Sequence, residues 1–156
     1  MKPRINYYEV APGLTRAMMG LHGYLNKSTL EPNLLHLVSY RVSQINGCAF
    51  CLDMHSKDLR AGGETEQRIY MISAWREASI YTEKERAALA WAEAVTRLEG
   101  NEVPDEVYKE AAAHFTEREL ADLTLSVVAI NGWNRLNIAF CMPSGHYVPG
   151  QYETAH

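Results

Sequence analysis

The chain has 156 residues, of which 47% are hydrophobic and 22% are charged, and its formal net charge is −4. This length and composition are typical of one globular domain, so we expect residues 1–156 to form a single domain. The negative charge argues against nucleic-acid binding, because no excess of basic residues could neutralise phosphates. The chain has no apolar run of the length of a membrane span and no signal-peptide pattern at its start, so we expect a cytoplasmic protein without membrane contact.

Apolar residues at helical spacing cover most of the chain, and no window alternates with the period of two that a strand would show. The fold class is therefore predicted to be all-α, with about six to seven helices. Residues 1–12 and 142–156 carry Pro and Gly without periodicity, and we expect them to be extended arms or loops. The predicted helices, in chain order, cover residues 33–46, 49–61, 65–77, 82–99, 103–115 and 116–140.

Several of these helices have recognisable ends. The first is followed by Gly47 and the second by the glycine pair 62–63, both typical of helix C-termini. Thr82 and Thr116 each precede a glutamate by three positions, the spacing of a capping box at a helix start. Because Gly47 follows the first helix and the second begins near residue 49, the break between these two helices falls beside Cys48.

The segment QINGCAFCLDMHSKDLRAGG, residues 44–63, contains the elements of a thiol site. On a helix that begins near Cys48, the side chains of Cys48, Cys51 and His55 share one face. A helix N-terminus and a nearby imidazole both favour the reactive thiolate. We interpret Cys51 as the attacking thiol, because His55 is its nearest neighbour, and Cys48 as the resolving thiol. The reverse assignment stays open, since the first cysteine of a C-x-x-C pair is often the exposed one.

Other kinds of site also contain a C-x-x-C pair. Attachment of a c-type haem is excluded because Leu52, not histidine, follows Cys51. A zinc site would need a fourth ligand besides Cys48, Cys51 and His55, and the sequence has no second paired-ligand motif. Redox chemistry is therefore favoured, and we expect neither a metal nor a cofactor. The third cysteine, Cys141, lies in an apolar run and is expected to be a small buried side chain.

A polar cluster interrupts the last predicted helix, in the sequence NGWNRL. Asn131, Asn134 and Arg135 belong to it, together with Trp133. We expect these groups mainly to satisfy one another inside the protein, because buried polar atoms need partners. Lining a pocket or holding a subunit interface are the alternatives.

The segment YRVSQINGCAFCLDMHSKDLRAGGE, residues 40–64, resembles the core motif of the alkylhydroperoxidase D-like (AhpD-like) family, within the carboxymuconolactone decarboxylase superfamily. Residues 72–96 and 115–136 also resemble downstream segments of that family. The resemblance implies an all-helical fold, a homo-oligomer (often a trimer or hexamer) and thiol-based antioxidant activity. It further implies a lipoyl or thioredoxin-like reductant, and a peroxiredoxin partner or direct action on peroxides.

Carried over from the family, the redox pair is Cys48 and Cys51, and the histidine that handles protons is His55. The family commonly has a glutamate twelve residues before the first cysteine, and this chain has His36 there. Phe50 stands where some members have a histidine. An imidazole can also relay protons, or can stabilise a thiolate as a cation. His36 is therefore included among the predicted catalytic residues.

The predicted function is that of a thiol-dependent oxidoreductase that reduces peroxides or a partner disulfide. One alternative is a lyase of the carboxymuconolactone decarboxylase kind, which would need cationic or hydrogen-bonding groups and would leave the thiol pair unused. The other is a non-catalytic redox sensor, in which disulfide formation changes the assembly.

Overall fold

Helices form all the regular structure of residues 2–152, the part of the chain that the computed structural model describes. These residues contain eight α-helices, two single-turn 3-10 helices and no strand, so the all-α prediction is confirmed, with eight helices where about six to seven were expected. Met1 and the end of the predicted C-terminal arm, 153–156, lie outside the described residues. The α-helices are α1 (Tyr7–Val10), α2 (Pro12–Leu25), α3 (Pro32–Asn46), α4 (Ala49–Ala61), α5 (Glu66–Met71), α6 (Glu83–Arg97), α7 (Asp105–His114) and α8 (Glu117–Ala139), and the 3-10 helices are Ile72–Ala74 and Glu99–Asn101.

The six predicted helices are present as α3 to α8, and their ends follow the sequence signals. Gly47 ends α3 in the left-handed region, with φ 70°. The capping boxes that begin at Thr82 and Thr116 are both formed. One helix is shorter than predicted, because α5 ends at Met71 and a 3-10 turn follows.

Arg86 of α6 binds the segment that follows the end of α5. Its guanidinium donates hydrogen bonds to the carbonyl oxygens of Trp75 (2.7 Å), Arg76 (2.8 Å) and Ala78 (3.1 Å). Carbonyl groups beyond the end of α5 therefore have a side-chain partner. The apolar residues predicted to be buried in this segment are still buried: Ile69, Ile72 and Trp75.

Helices α1 and α2 have no counterpart among the predicted helices, and α1 lies inside the segment expected to be an extended arm. The sequence of α2 contains three glycines, each of which costs a helix about 1 kcal/mol relative to alanine. Packing of α2 against α8 compensates for this weak propensity. The single turn of α1 is anchored by Tyr7, which is 1% exposed, and by a hydrogen bond from the Arg4 amide to the Phe140 carbonyl (2.9 Å).

The central helix is α3, which packs against α4, α6 and α8. Its residues Val38 and Val42 belong to the larger of two hydrophobic clusters, which also contains Cys48 and Cys51. Its residue Leu37 belongs to the second cluster, together with apolar side chains of α4, α5 and α6. Burial of each large apolar side chain contributes about 1.5–3 kcal/mol, so both clusters hold α3 firmly. The corner that leads from α3 into α4 therefore has a fixed position.

The longest helix is α8, with 23 residues, and polar side chains are among its buried residues. Asp122, Ser126, Asn134 and Asn137 are all at most 4% exposed. No helix within residues 2–152 combines the length and apolarity needed to cross a membrane. Buried polar groups require hydrogen-bond partners, and the two asparagines find theirs around the thiols.

Glu93 of α6 is a buried carboxylate, 2% exposed, that joins three parts of the fold. It accepts hydrogen bonds from Arg41 of α3 (2.7 Å), from the Trp75 indole (3.0 Å) and from Arg76 (2.6 Å). Burial alone would raise the pKa of Glu93, but these hydrogen bonds outweigh that effect and lower it. The carboxylate is therefore charged in the folded protein, with its partners supplied by α3 and the segment before α6.

Replacing Glu93 with glutamine removes the charge and keeps the shape of the side chain. Arg41, whose side chain is 12% exposed, then loses its ionic partner inside the protein. Breaking a buried pair in this way costs about 3 kcal/mol, so we expect the free energy of unfolding in urea at neutral pH to fall by about that amount. Glu99→Gln, the matched change at an exposed site, should alter it by less than about 0.5 kcal/mol. Equal effects of the two changes would contradict this role of Glu93.

The difference in the free energy of unfolding between the wild type and Glu93→Gln should be smaller in acid. Because the folded-state pKa of Glu93 is lowered, its stabilising contribution is complete above the ordinary carboxyl pKa and is lost as the pH falls through the folded pKa. The gap between wild type and Glu93→Gln should therefore narrow as urea titrations are repeated at progressively lower pH.

Candidate active site

The site begins at the corner between α3 and α4, where one helix ends and the next starts almost at once. The Gly47 amide donates to the Gln44 carbonyl (3.3 Å), and the Cys48 amide donates to the Ser43 carbonyl (3.0 Å). This pair of bonds is a Schellman motif, which terminates α3. Cys48 has extended backbone angles and is the N-cap of α4. The sequence Asn-Gly-Cys thus places a thiol directly at a helix N-terminus.

Cys48 has an environment that stabilises a thiolate. A hydrogen bond from the Cys51 thiol, together with bonds from the backbone amides of Cys51 and Phe50 and from the Asn134 side chain, lowers the pKa of Cys48 to about 7, although burial opposes this. Unpaired N–H groups at a helix start favour negative charge and commonly activate cysteines. Cys48 is therefore the thiol that ionises near neutral pH.

Cys51 has the opposite environment, one turn into α4 and with no exposed surface. Its hydrogen bond to Cys48, its burial and the nearby charge of Cys48 together raise the pKa of Cys51. The Asn137 amide nitrogen donates to its Sγ at 3.3 Å, which opposes this increase only in part. Cys51 is therefore the protonated member of the pair, with its thiol proton directed to Cys48.

Two asparagines of α8 connect the thiols to a polar network. Asn137 accepts a hydrogen bond from the Tyr7 hydroxyl through Oδ1 (2.7 Å). Asn134 donates to Ser43 Oγ (3.1 Å) and accepts from Asn46 Nδ2 (2.8 Å). The network links α1, α3 and α8, and it orients the amide groups that face the sulfurs.

His55, one turn beyond Cys51 on α4, pairs with His36 of α3. Their Nδ1 atoms are 3.3 Å apart. Burial, reinforced by His36 and His22, holds the pKa of His55 well below its ordinary value, so this imidazole is neutral at pH 7. Among the residues that the structure describes, no hydrogen bond joins His55 to a cysteine, and its Nε2 is buried without a partner. His55 can therefore act as a neutral base but does not supply a positive charge to a thiolate.

A cleft of about 550 Å³ opens onto Cys48. It is lined by the α3–α4 corner, by the end of α8 and by the segment that follows α8, and Cys51 does not line it. Cys141 also lines this cleft, half-buried and with a left-handed φ of 53°, so it is not the fully buried side chain that its apolar surroundings predicted. A molecule that enters the cleft meets Cys48 before Cys51.

The segment after α8 is fastened to α4, although up to residue 152, where the described residues end, it contains no helix, as predicted. Lys57 Nζ donates to the carbonyl oxygens of Tyr147 (2.9 Å) and Gly145 (3.4 Å). The Gly145 amide donates to Asp53 Oδ2 (2.9 Å), and the Tyr147 hydroxyl donates to Asp58 Oδ1 (2.7 Å). One wall of the cleft is therefore a loop held by hydrogen bonds to the helix that carries the thiols.

One group of side chains at the site has the donor atoms of a metal site. Nδ1 of His36, Nδ1 of His55 and a carboxylate oxygen of Asp58 lie within 4.8 Å of one another. Imidazole nitrogens and a carboxylate oxygen are ligands that several divalent transition metals accept.

The structure brings the four predicted site residues together as two pairs, Cys48 with Cys51 and His36 with His55. The environment favours the reverse of the predicted thiol roles, because the helix N-terminus acts on Cys48 while His55 is neutral and makes no bond to Cys51. The prediction did not include Asn137 or Tyr7. Asn137 could have been found from its spacing, since asparagines recur every three residues at 131, 134 and 137. Tyr7 gives no such signal, because its place depends on how α1 docks.

Comparison with known proteins gives three informative similarities and one family match. Residues 12–94 match the carboxymuconolactone decarboxylase family. The uncharacterised protein YdfG of Bacillus subtilis is 45% identical over 139 residues, covering 89% of this chain and 95% of YdfG. The alkyl hydroperoxide reductase AhpD of Mycobacteroides abscessus is 38% identical over 63 residues, which are 40% of this chain and 33% of that protein.

A solved structure matches nearly the whole chain. It is ATU0492 of Agrobacterium tumefaciens, a protein of unknown function. It is 42% identical in sequence and has a TM-score of 0.89, and the match covers 94% of this chain and all of that one. The two chains therefore share one helical fold.

Brief alkylation of the reduced protein with iodoacetamide should distinguish the two thiols. We expect modification of Cys48 to increase with pH around a midpoint of about 7, because only the thiolate reacts, and modification of Cys51 to lag at every pH. Peptide mass spectrometry separates the cysteines. In urea-unfolded protein, the control, the two midpoints should converge near the ordinary thiol value of about 8.5. Preferential modification of Cys51 in the folded protein would show that the assignment is wrong.

Proposed function

The chain belongs to the carboxymuconolactone decarboxylase family, and from this premise we propose that it is a thiol peroxidase of the AhpD kind in which Cys48 and Cys51 cycle between dithiol and disulfide. Family membership and the similarity to AhpD proteins support an antioxidant or peroxidase-related function. The finer proposal rests on one observation, that the pKa values of the two neighbouring thiols are shifted in opposite directions. Cys48 has a pKa of about 7, whereas the pKa of Cys51 is raised.

In the first step, the Cys48 thiolate attacks the terminal oxygen of a hydroperoxide bound in the cleft. The O–O bond breaks, the alkoxide leaves and takes a proton from water, and Cys48 becomes a sulfenic acid. The helix N-terminus and the Asn134 amide stabilise the attacking thiolate. Cys48 is among the residues that line the cleft, with 1% of its surface exposed, so a peroxide in the cleft lies against Cys48 and not against Cys51.

In the second step, the Cys51 sulfur attacks Cys48 and closes the disulfide. Its proton passes to the neutral imidazole of His55, the S–O bond breaks, and the departing hydroxide recovers a proton to leave as water. The raised pKa of Cys51 and its absence from the lining of the cleft suit it to this resolving role, because a protonated thiol away from the cleft does not compete for the peroxide. His36 holds the ring of His55 through the contact between their Nδ1 atoms.

A dithiol donor of the lipoyl or thioredoxin-like kind would then reduce the disulfide by thiol exchange and become a disulfide itself. A peroxiredoxin disulfide is the other substrate that this chemistry would suit. We also propose that the chain works as a homo-oligomer, a trimer or hexamer, in accordance with the family resemblance.

The decisive experiment measures consumption of cumene hydroperoxide with dihydrolipoamide as the donor. We expect the wild type to turn over repeatedly and Cys48→Ser to show background consumption only. Cys51→Ser should consume about one equivalent and stop, since its sulfenic acid cannot be resolved. The matched variant Cys141→Ser keeps the pair and should still turn over repeatedly.

Other outcomes of this experiment point to other functions. If Cys51→Ser is inactive while Cys48→Ser consumes one equivalent, the thiol roles are those suggested by the spacing of Cys51 and His55. One stoichiometric oxidation of the wild type without turnover would favour a redox sensor. If no peroxide is consumed and no disulfide forms, the peroxidase proposal fails and a lyase becomes the better hypothesis.

Rapid-mixing kinetics should separate the two steps. We expect the rate of peroxide reduction to rise with pH through about 7 and then level off, because Cys48 is the attacking thiolate. Loss of a positioned base typically costs about 100-fold, so His55→Asn should slow disulfide closure by that order and leave the first step unchanged. The control His114→Asn alters a histidine of α7 and should affect neither step. Equal slowing of both steps by His55→Asn would contradict the proposed role of this residue.

A further inference from the structure

We propose that His36, His55 and Asp58 form a binding site for one divalent transition-metal ion, such as Zn²⁺. The three side chains converge from α3 and α4, with two imidazole nitrogens and one carboxylate oxygen as ligands. The site uses neither cysteine, although it shares His36 and His55 with the proposed redox function.

The distances between the donor atoms fit a metal ion. Two nitrogens that each lie about 2.0–2.1 Å from a tetrahedral zinc are about 3.3–3.4 Å apart. The Nδ1 atoms of His36 and His55 are 3.3 Å apart. Asp58 Oδ2 lies 3.9 Å from the first and 4.0 Å from the second, so a shift of about half an ångström completes a third corner.

The surroundings of the three ligands are also those of a metal site. The Tyr147 hydroxyl donates to Oδ1 of Asp58 at 2.7 Å and orients the carboxylate, as outer partners of metal ligands commonly do. His55 is 4% exposed and is held by the packed core, so its ring direction is fixed.

An entry path exists from the surface. A second cleft, of about 240 Å³, is lined by both His36 and Asp58. The side chain of His36 is 32% exposed, whereas His55 lies behind it. An ion can therefore reach the site without passing the cleft that opens onto Cys48, and water can occupy its remaining coordination position.

Two imidazoles that face each other in this way can instead share one proton. A hydrogen bond of this kind needs only the two histidines, whereas a metal site also recruits the carboxylate. The contribution of Asp58 to metal affinity is therefore what distinguishes the proposal from a simple histidine pair.

The test is calorimetric titration of Zn²⁺ into the full chain carrying Cys48→Ser and Cys51→Ser, which removes the paired thiols as ligands. We expect about one Zn²⁺ per chain, and an affinity that falls at least 100-fold with His36→Ala and about 10- to 100-fold with Asp58→Asn. Tyr147→Phe should weaken binding about 10-fold, since it acts only by orienting Asp58. The control His114→Ala should bind like the parent protein.

Two results would overturn the proposal: absence of zinc binding to the double-serine chain, or an affinity that either His36→Ala or Asp58→Asn leaves unchanged. His36 and Asp58 line a surface cleft, so these variants do not require a change in the buried core. Zinc stoichiometry is measured without peroxide, so its outcome is separate from that of the peroxidase assay.

Discussion

The left-handed backbone at Gly47 is the constraint on which the thiol site depends. A side chain at φ 70° would cost roughly 1–2 kcal/mol, and a Cβ there would meet no heavy atom within 4 Å, so the requirement for glycine comes from the backbone angle alone. This one residue ends α3 and allows Cys48 to begin α4. The start of α4 therefore adds to the effect of the Cys51 thiol in lowering the pKa of Cys48, and two hydrophobic clusters keep that start in place.

The two thiols show how one short motif yields two chemically different sulfurs. They are three residues apart and both almost inaccessible, yet their pKa values shift in opposite directions because one proton lies between them. The hydrogen bond from the Cys51 thiol is the largest cause of the lowered pKa of Cys48, and the amides at the start of α4 add to it. The asparagines of α8 then support both sulfurs, without bringing a formal charge into the core.

The helices α3 to α8 could be predicted because their apolar periodicity agrees with their caps, as at Thr82 and Thr116. Helix α2 could not, since its glycines weaken the local signal and its stability comes from α8. The apolar periodicity of residues 65–77 continues beyond Met71, where α5 ends, so it did not predict that boundary. The C-x-x-C pair and His55 were visible as a spacing on one helix. The roles of the thiols depend on burial. The approach of His36 and Asp58 to His55 depends on how α3 packs against α4. Neither can be read from the spacing of residues in the sequence.

The wall of the cleft that faces Cys48 is built in part from the loop after α8, tied to α4 by Lys57, Asp53 and Asp58. The thiols thus lie on a rigid helix, whereas the shape of the cleft above them depends on a loop. Loops of this kind tolerate insertion and substitution. Among descendants of such a chain, the range of molecules admitted could diverge while the sulfur chemistry stayed the same. The loop is accordingly the part of the fold in which to engineer substrate preference, with the helices left untouched.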